Sequence, residues 1–337
     1  MVLLLSESDV ADSLSMADGV RVVEQAFTQH ASGGHMVMPR ISTDVPGNGG
    51  AFRVMSAILP ELGFFGLKTL TGYPGRRLPG ETYFAILLFS CETGALRAII
   101  AGNRLTGVRT GAATAVAAKY LARPDSRVLG ILGAGVQARY QVAGLCEVRP
   151  VDEVRIFDLD AAKAEDFARE IENTLEVSAR AVSQPRDAVA ACDLVVTATA
   201  AKAPVFDGAW LEPGTHVSAI GANAPAKREL DATTLRRSKI VLDFREQVLQ
   251  EAGDIQEALS RGAIQPEGIY AELGEIVTGA KPGRIDDVEI TLFKSVGMAT
   301  EDMAAACFTY GQALAAGIGT RIELDGAALV QPAGVQR

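Results

Sequence analysis

Cysteine is scarce in this chain. Cys91, Cys146, Cys192 and Cys307 are scattered over 337 residues without one CxxC pair. That spacing excludes a disulfide framework and a thiol redox motif, and it predicts reduced, mostly buried thiols in a cytoplasmic protein. Histidine is scarcer still. His30, His35 and His216 form no ligand spacing with Cys or Asp, so neither a metal site nor a histidine-centred triad is expected. Positive charge is also lacking. A net charge of −9 leaves no electrostatic footprint for nucleic acid or an anionic membrane. The apolar run in "MVLLLSESDV" spans four residues, too short for a signal peptide or a membrane span. Repeats and low-complexity segments are missing as well. What remains is ordinary for a soluble enzyme, with 48% hydrophobic and 22% charged residues. The length suits two domains or one large α/β unit.

The pattern changes along the chain. Residues 1 to about 115 carry short strand-like runs punctuated by glycine and proline, among them "GFFGLKTLTGYPG", "YFAILLFSCETG" and "ALRAIIAG". "LLFSCETGALRAII" predicts a hairpin turning at Glu92-Thr93-Gly94. "LTGVRTGAATAVAAKYLA", residues 105–122, is alanine-rich and free of proline, which predicts a helix stopped by Arg123-Pro124-Asp125. Strands and helices then alternate. "RVLGILG", "EVRIFDLD", "DLVVTATA", "THVSAIGA" and "SKIVLDF" predict parallel strands, with "VQARYQVAGLCEV" and "AAKAEDFAREIEN" as helices. The expected class is α/β, with a doubly wound sheet. From about Thr291 the tail predicts a further helix.

Gly133-Ala134-Gly135-Val136-Gln137-Ala138 reads GxGxxA between a predicted strand and a predicted helix. The first glycine permits the tight turn, the second lets a pyrophosphate approach the backbone, and the small third residue lets helix pack on strand. Asp158 ends the next strand, about 25 residues on, where a carboxylate would hold ribose hydroxyls. It would repel a 2′-phosphate, and no arginine follows it directly, so NAD is expected over NADP. The blander alternative makes Asp158 a cap for the helix after it.

Hydride transfer needs a group to fix a carboxylate and an acid-base partner near the reacting carbon. The N-terminal third offers four cations in apolar or glycine-rich surroundings: Arg40, Arg53, Lys68 and Arg109. Lys68 lies inside an apolar strand run, where solvation is strained. Arg109 lies near a helix start, a poor place for a cation unless an anion sits there.

On "GLKTLTGYPG", "LTGVRTGAATAVAAKYLARPDS", "GILGAGVQA", "LVVTATA", "LEPGTHVSAIGANAPAKRELD" and "LFKSVGMATED" the chain resembles the ornithine cyclodeaminase/mu-crystallin family. That family includes archaeal-type alanine dehydrogenases and ketimine reductases. The resemblance implies a homodimer. It also implies a smaller α+β substrate and dimerisation domain, residues 1–118 completed by about 300–337, beside a Rossmann NAD-binding domain, residues 119–299. It makes Arg40, Lys68 and Arg109 the carboxylate and acid-base cluster. Thr82, Gly133, Ala134, Gly135, Val136, Gln137, Asp158, Thr199, Ile220, Gly221, Ala222, Asn223, Lys227 and Ser295 match positions around cofactor and substrate. Without the resemblance, Thr199 would read as a strand-end hydroxyl and Ser295 as a helix cap.

Departures from the family pattern narrow the chemistry. Cyclodeaminases that look like this carry an aspartate where this chain has Asn223, and a glutamate in the strand that here reads "GAFRVMSAI". Those carboxylates suit a diamine. Asparagine cannot take a proton at neutral pH, and Arg53 brings positive charge instead. The expected function is NAD(H)-dependent reduction of a small imino acid, run equally as an amino-acid dehydrogenase, with Lys68, Arg109 and Asn223 at the chemistry and Arg53 and Lys227 on the substrate. Ornithine cyclodeamination and a non-catalytic, crystallin-type binding protein are the alternatives.

Overall fold

The computed structural model describes residues 1–47, 49–73 and 83–324. They build two eight-stranded sheets. In the second, the strand order is Ser178–Ala181, Glu153–Phe157, Val128–Leu132, Leu194–Thr197, His216–Ala219, Ile290–Lys294, Ser238–Leu242 and Ile269–Glu272. Every pairing is parallel. A parallel sheet is covered on both faces, so its strands must be apolar on both. Leu129, Ile131, Val195, Val217, Val241 and Leu292 are all buried accordingly. The chain enters at Val128–Leu132, winds outward to Ser178–Ala181, then restarts on the other side with Leu194–Thr197. This is the doubly wound α/β arrangement, and its crevice opens where the winding reverses.

One strand overturns an expectation. Ile290–Lys294 is not helical but inserts between His216–Ala219 and Ser238–Leu242. All five of its residues are buried, and tertiary burial of a β-branched and aromatic run outweighs weak helix propensity. The helix begins only at Ala299 and runs to Ala316, after Gly297 turns the chain at φ 82°.

The first sheet is mixed. From one edge it runs Thr320–Ile322, Val2–Leu5, Leu96–Ala101, Phe84–Ser90, Phe64–Gly72, Gly50–Leu59 and Met36–Val37, with Ile41–Val45 also paired to Gly50–Leu59. Only Val2–Leu5 with Leu96–Ala101 is parallel. The expected hairpin joins Phe84–Ser90 to Leu96–Ala101, with Gly94 at φ 69°. Its inner face, including Met55, Ile86, Leu88 and Ile100, packs on Ala299, Met303 and Ala306 of the last helix.

Two helices stand where strand-like runs were expected, Glu7–Ser13 and Met16–Ala31. Ser6 caps the first in a capping box with Asp9, and Ser15 caps the second. The alanine-rich helix spans Asn103–Leu121. Its small side chains let it lie between the two sheets, with Leu105 and Val108 against the first and Ala113 and Val116 in a cluster with Val241 and Phe293 of the second. The thiols are less buried than expected. Only Cys192 is fully buried, Cys146 and Cys307 are half-buried, and Cys91 is exposed on the hairpin turn. Among the described residues no helix is long and apolar enough to cross a membrane.

Candidate functional site

A cavity of about 1230 Å³ opens at the crevice of the parallel sheet and reaches the first sheet. On one side it is lined by Gly133, Gly135, Val136, Gln137 and Asp158. Gly133 has φ 103°, and a Cβ there would lie 2.7 Å from the Ala198 carbonyl oxygen, so only glycine makes this turn. At Gly135 a Cβ would meet nothing within 4 Å, and no side chain caps the helix Val136–Val148 that starts here. The helix N-terminus therefore faces an open cradle with its amides uncovered by side chains, as an anionic pyrophosphate requires. Asp158 accepts hydrogen bonds from the Ala134 and Asp160 amides at 2.8 and 2.9 Å, and a carboxylate has lone pairs left for ribose hydroxyls. The cap of the following helix is Asp160 rather than Asp158. Leu159 is 96% exposed beside it and lines the same cavity, an apolar surface suited to a flat base.

On the other side the cavity is lined by Arg40, Arg53, Lys68 and Arg109, which converge from two strands, one helix and the loop before Ile41–Val45. Lys68 points inward from Phe64–Gly72 and is 1% exposed. Its Nζ donates to Asp302 Oδ1 at 2.6 Å. The same oxygen accepts Arg109 Nε at 2.9 Å, while Arg109 Nη1 donates to Glu301 Oε2 at 2.8 Å. Arg109 Nη2 makes no hydrogen bond within the described residues, which leaves one donor edge of that guanidinium for a ligand. The position is the second turn of its helix, not the first, and the anion sought there is a pair of carboxylates from another helix. Arg40 is held by Glu251 and by the Val296 and Gly297 carbonyls, with its Nε unpartnered. Arg53 lines the cavity with no ion-pair partner among the described residues.

Burial dominates the electrostatics. It pulls Lys68 down to about 7, against the opposing attraction of Asp302 and reinforced by Arg109. It pushes Glu301 up to about 7, against Arg109. Burial also works to lower Arg109, but Asp302 and Glu301 outweigh it and hold the guanidinium above its ordinary value. Ion pairs this deeply buried contribute little net stability, and removing one partner strands a charge at a cost of about 3–5 kcal/mol. Such a cluster in a cleft makes this a candidate functional site.

Two buried carboxylates hold the walls. Asp243 Oδ2 accepts from Ser295 Oγ and from the Val296 and Gly297 amides at 2.7–2.8 Å. Because Arg40 takes the carbonyls of the same two residues, that loop is fixed from both sides. A Cβ on Gly297 would lie 2.6 Å from Arg109 Nη1, so the loop can approach the arginine only as glycine. Glu229 accepts from the Thr199 amide and hydroxyl and from the Gly221 and Ala222 amides. It ties together the loops that leave two neighbouring strands.

The structure thus brings most of the expected residues to one cavity: Thr199, Ile220, Asn223 and Ser295 line it with the groups above. Ala134, Gly221 and Ala222 do not; their backbones lie behind the wall, bonded to Asp158 and Glu229. Lys227 is also set back from the lining. Its Nζ donates to Asn223 Oδ1 at 2.9 Å, because a half-buried ammonium takes the nearest acceptors. Thr82 lies outside the described residues. Sequence reasoning missed Glu229, Asp243, Glu251, Glu301 and Asp302. Acids in "MATED" look like routine charges of a first helical turn; the available signal was their apolar flank on both sides, which a surface helix would not carry.

A doubly wound parallel sheet with a glycine turn, an uncapped helix N-terminus and a strand-end aspartate defines a Rossmann-type dinucleotide fold. The chain belongs to the ornithine cyclodeaminase/mu-crystallin family, whose sequence profile matches residues 2–317. It is 38% identical over 323 residues to an alanine dehydrogenase of Archaeoglobus fulgidus, covering 95% of this chain and 98% of that one. Among solved structures it is similar to the Δ1-pyrroline-2-carboxylate reductase of Thermococcus litoralis in complex with NADH and L-proline, at TM-score 0.92 and 40% identity over 95% of this chain and all of that one. It is also similar to an archaeal alanine dehydrogenase dimer with bound NAD, at TM-score 0.89 and 37% identity over 96% and 99% of the two chains.

Proposed function

We propose that the protein is an NAD(H)-dependent reductase of a small imino acid, running in reverse as an amino-acid dehydrogenase. The observation that carries this reading is that one cavity holds both the glycine cradle with Asp158 and the cluster Arg40, Arg53, Lys68 and Arg109. NADH, when bound, supplies the hydride. Arg109 Nη2 is the guanidinium donor left for the substrate's α-carboxylate, and Arg40 adds its positive charge from the same cavity lining. Lys68, protonated at Nζ, gives its proton to the substrate nitrogen as the C=N bond is reduced, and regains one from solvent. Asp158 selects NADH over NADPH by charge. Thr199, Ile220 and Ser295 form the wall at the reacting end. Similarity to enzymes named for pyrroline-2-carboxylate and alanine supports a substrate with one α-carboxylate and a C=N or C–N bond beside it.

The partner we infer is a second copy of the chain. The outer face of the first sheet carries Ile58, Phe65, Leu67, Leu87, Phe89 and Ile99, half-exposed, with Phe65 stacked on Phe89. An open antiparallel face is normally polar, and the related archaeal alanine dehydrogenase is a dimer. Four unpaired cysteines fit the cytoplasm. The test is a steady-state screen of NADH oxidation over Δ1-pyrroline-2-carboxylate, pyruvate with ammonia and oxaloacetate with ammonia. Turnover of at least one supports the reading, and none with any imino acid overturns it.

A further inference from the structure

Lys68 and Arg109 do not reach the cavity independently. Both lean on one oxygen, Asp302 Oδ1, at 2.6 and 2.9 Å. Asp302 is fully buried and does not line the cavity; it lies behind the two cations, in the first turn of the helix Ala299–Ala316. The groups facing Lys68 are few. Among the described residues Asp302 is its only acid contact, Thr106 Oγ1 lies at 3.5 Å, Phe84 offers its ring at 5.9 Å, and Arg109 and Arg40 repel it. Glu301, one residue before, is bonded among the described residues to Arg109. Among the described residues Asp302 is therefore the one carboxylate bonded to Nζ, set against the repulsion of two neighbouring guanidinium groups.

We propose that Asp302 is a positioning residue for the proton-transfer step: it holds Lys68 protonated and aimed at the cavity, while fixing Arg109 in the same register. The inference rests on the reductase reading above. In reduction, the hydride pair goes to the α-carbon and the Lys68 proton to nitrogen, so Lys68 leaves the step neutral and Asp302 favours its reprotonation. Without that carboxylate the lysine gives up its proton at lower pH. A unit charge this close shifts a partner's pKa by roughly 1–3 units.

The test compares pH profiles of kcat for NADH-dependent reduction of Δ1-pyrroline-2-carboxylate by the wild type, Asp302→Asn and Glu301→Gln. Titration of the imine itself is common to all three and cancels. In Asp302→Asn the limb where activity falls with rising pH should move down by about 1–3 units. The KM for NADH should stay within twofold, and activity should partly return at the acid end. Glu301→Gln should leave the limb in place and raise the KM for the imine. A limb that stays put in Asp302→Asn, or moves equally in Glu301→Gln, overturns the proposal. If Asp302→Asn does not fold, Asp302→Glu carries the test. It keeps the charge but displaces it, so the limb should stay near that of wild type while kcat drops at least tenfold; a kcat within twofold overturns the proposal. A wild type inactive on every imino acid would instead sink the reductase reading itself.

Discussion

Replacing Asp158 should relax the choice between NADH and NADPH, and the size of the effect follows from its position. The carboxylate sits at the end of Glu153–Phe157 at the edge of the cavity, bonded to the amides of Ala134 and Asp160. Among the described residues no salt bridge offsets its charge. A 2′-phosphate brought to about 4 Å meets a like charge costing between about 1 kcal/mol in bulk water and about 4 kcal/mol at an effective dielectric of 20, per unit of phosphate charge. The half-exposed setting favours the lower part of that range. Wild type should then prefer NADH by roughly tenfold to a hundredfold in kcat/KM, at 1.4 kcal/mol per factor of ten. In Asp158→Ser the NADPH value should rise while the NADH value falls, since the serine loses the ribose contact and weakens the bond to the Ala134 amide. The assay is initial-rate kinetics with both cofactors at a saturating imino acid. A wild type that prefers NADPH, or a ratio unchanged in Asp158→Ser, refutes the reasoning.

Lys68→Ala should cost about 10²–10⁴ in kcat with little change in NADH affinity, since it removes a positioned proton donor; fluorescence titration of NADH beside turnover separates the two. Because burial brings Lys68 to about 7, its protonated fraction falls as pH rises through that value. Reduction should therefore decline above about pH 7 and oxidation of the amino acid should decline below it, and profiles with the same slope in both directions would contradict the assignment. Ornithine should yield little proline. An ammonium about 4 Å from Arg53, which has no ion-pair partner among the described residues, is opposed by roughly 4 kcal/mol at an effective dielectric of 20, and Asn223 has no proton to take or give at neutral pH. Robust proline and ammonia release from ornithine with catalytic NAD would overturn that reading.

Much of the parallel sheet could be read in advance because Val128–Leu132, Glu153–Phe157, Leu194–Thr197, His216–Ala219 and Ser238–Leu242 are short, mainly apolar runs bounded by turn residues, whereas the edge strand Ser178–Ala181, with one buried residue, carries no such signal. Ile290–Lys294 could not, since its strand character comes from the two neighbours it is inserted between, and "FKSVGMATED" runs into a true helix without a proline. The short helices near the N-terminus were hidden by aliphatic residues, although Ser6 and Ser15 announce them as caps. At the site, the cations were legible because a lysine in an apolar strand has no solvated alternative. Their carboxylate partners were not. Glu251, Glu301 and Asp302 lie 192 to 234 residues from the cations they hold, and pairing across such separations depends on packing that no local pattern encodes. Lys227 shows the reverse limit: a residue type suited to the chemistry, turned instead to Asn223.

The central claim is that this cavity delivers a hydride to the α-carbon of an imino acid, and isotope transfer tests it most directly. The purified protein would be incubated with NADH deuterated at the transferring position of nicotinamide C4 and with Δ1-pyrroline-2-carboxylate, or with pyruvate and ammonia, and the amino acid read by mass spectrometry and NMR. Our account predicts one deuterium at Cα of the proline or alanine formed, with stoichiometric loss of NADH. Amino acid formed without deuterium at that carbon, or no amino acid formed with either substrate, would contradict it.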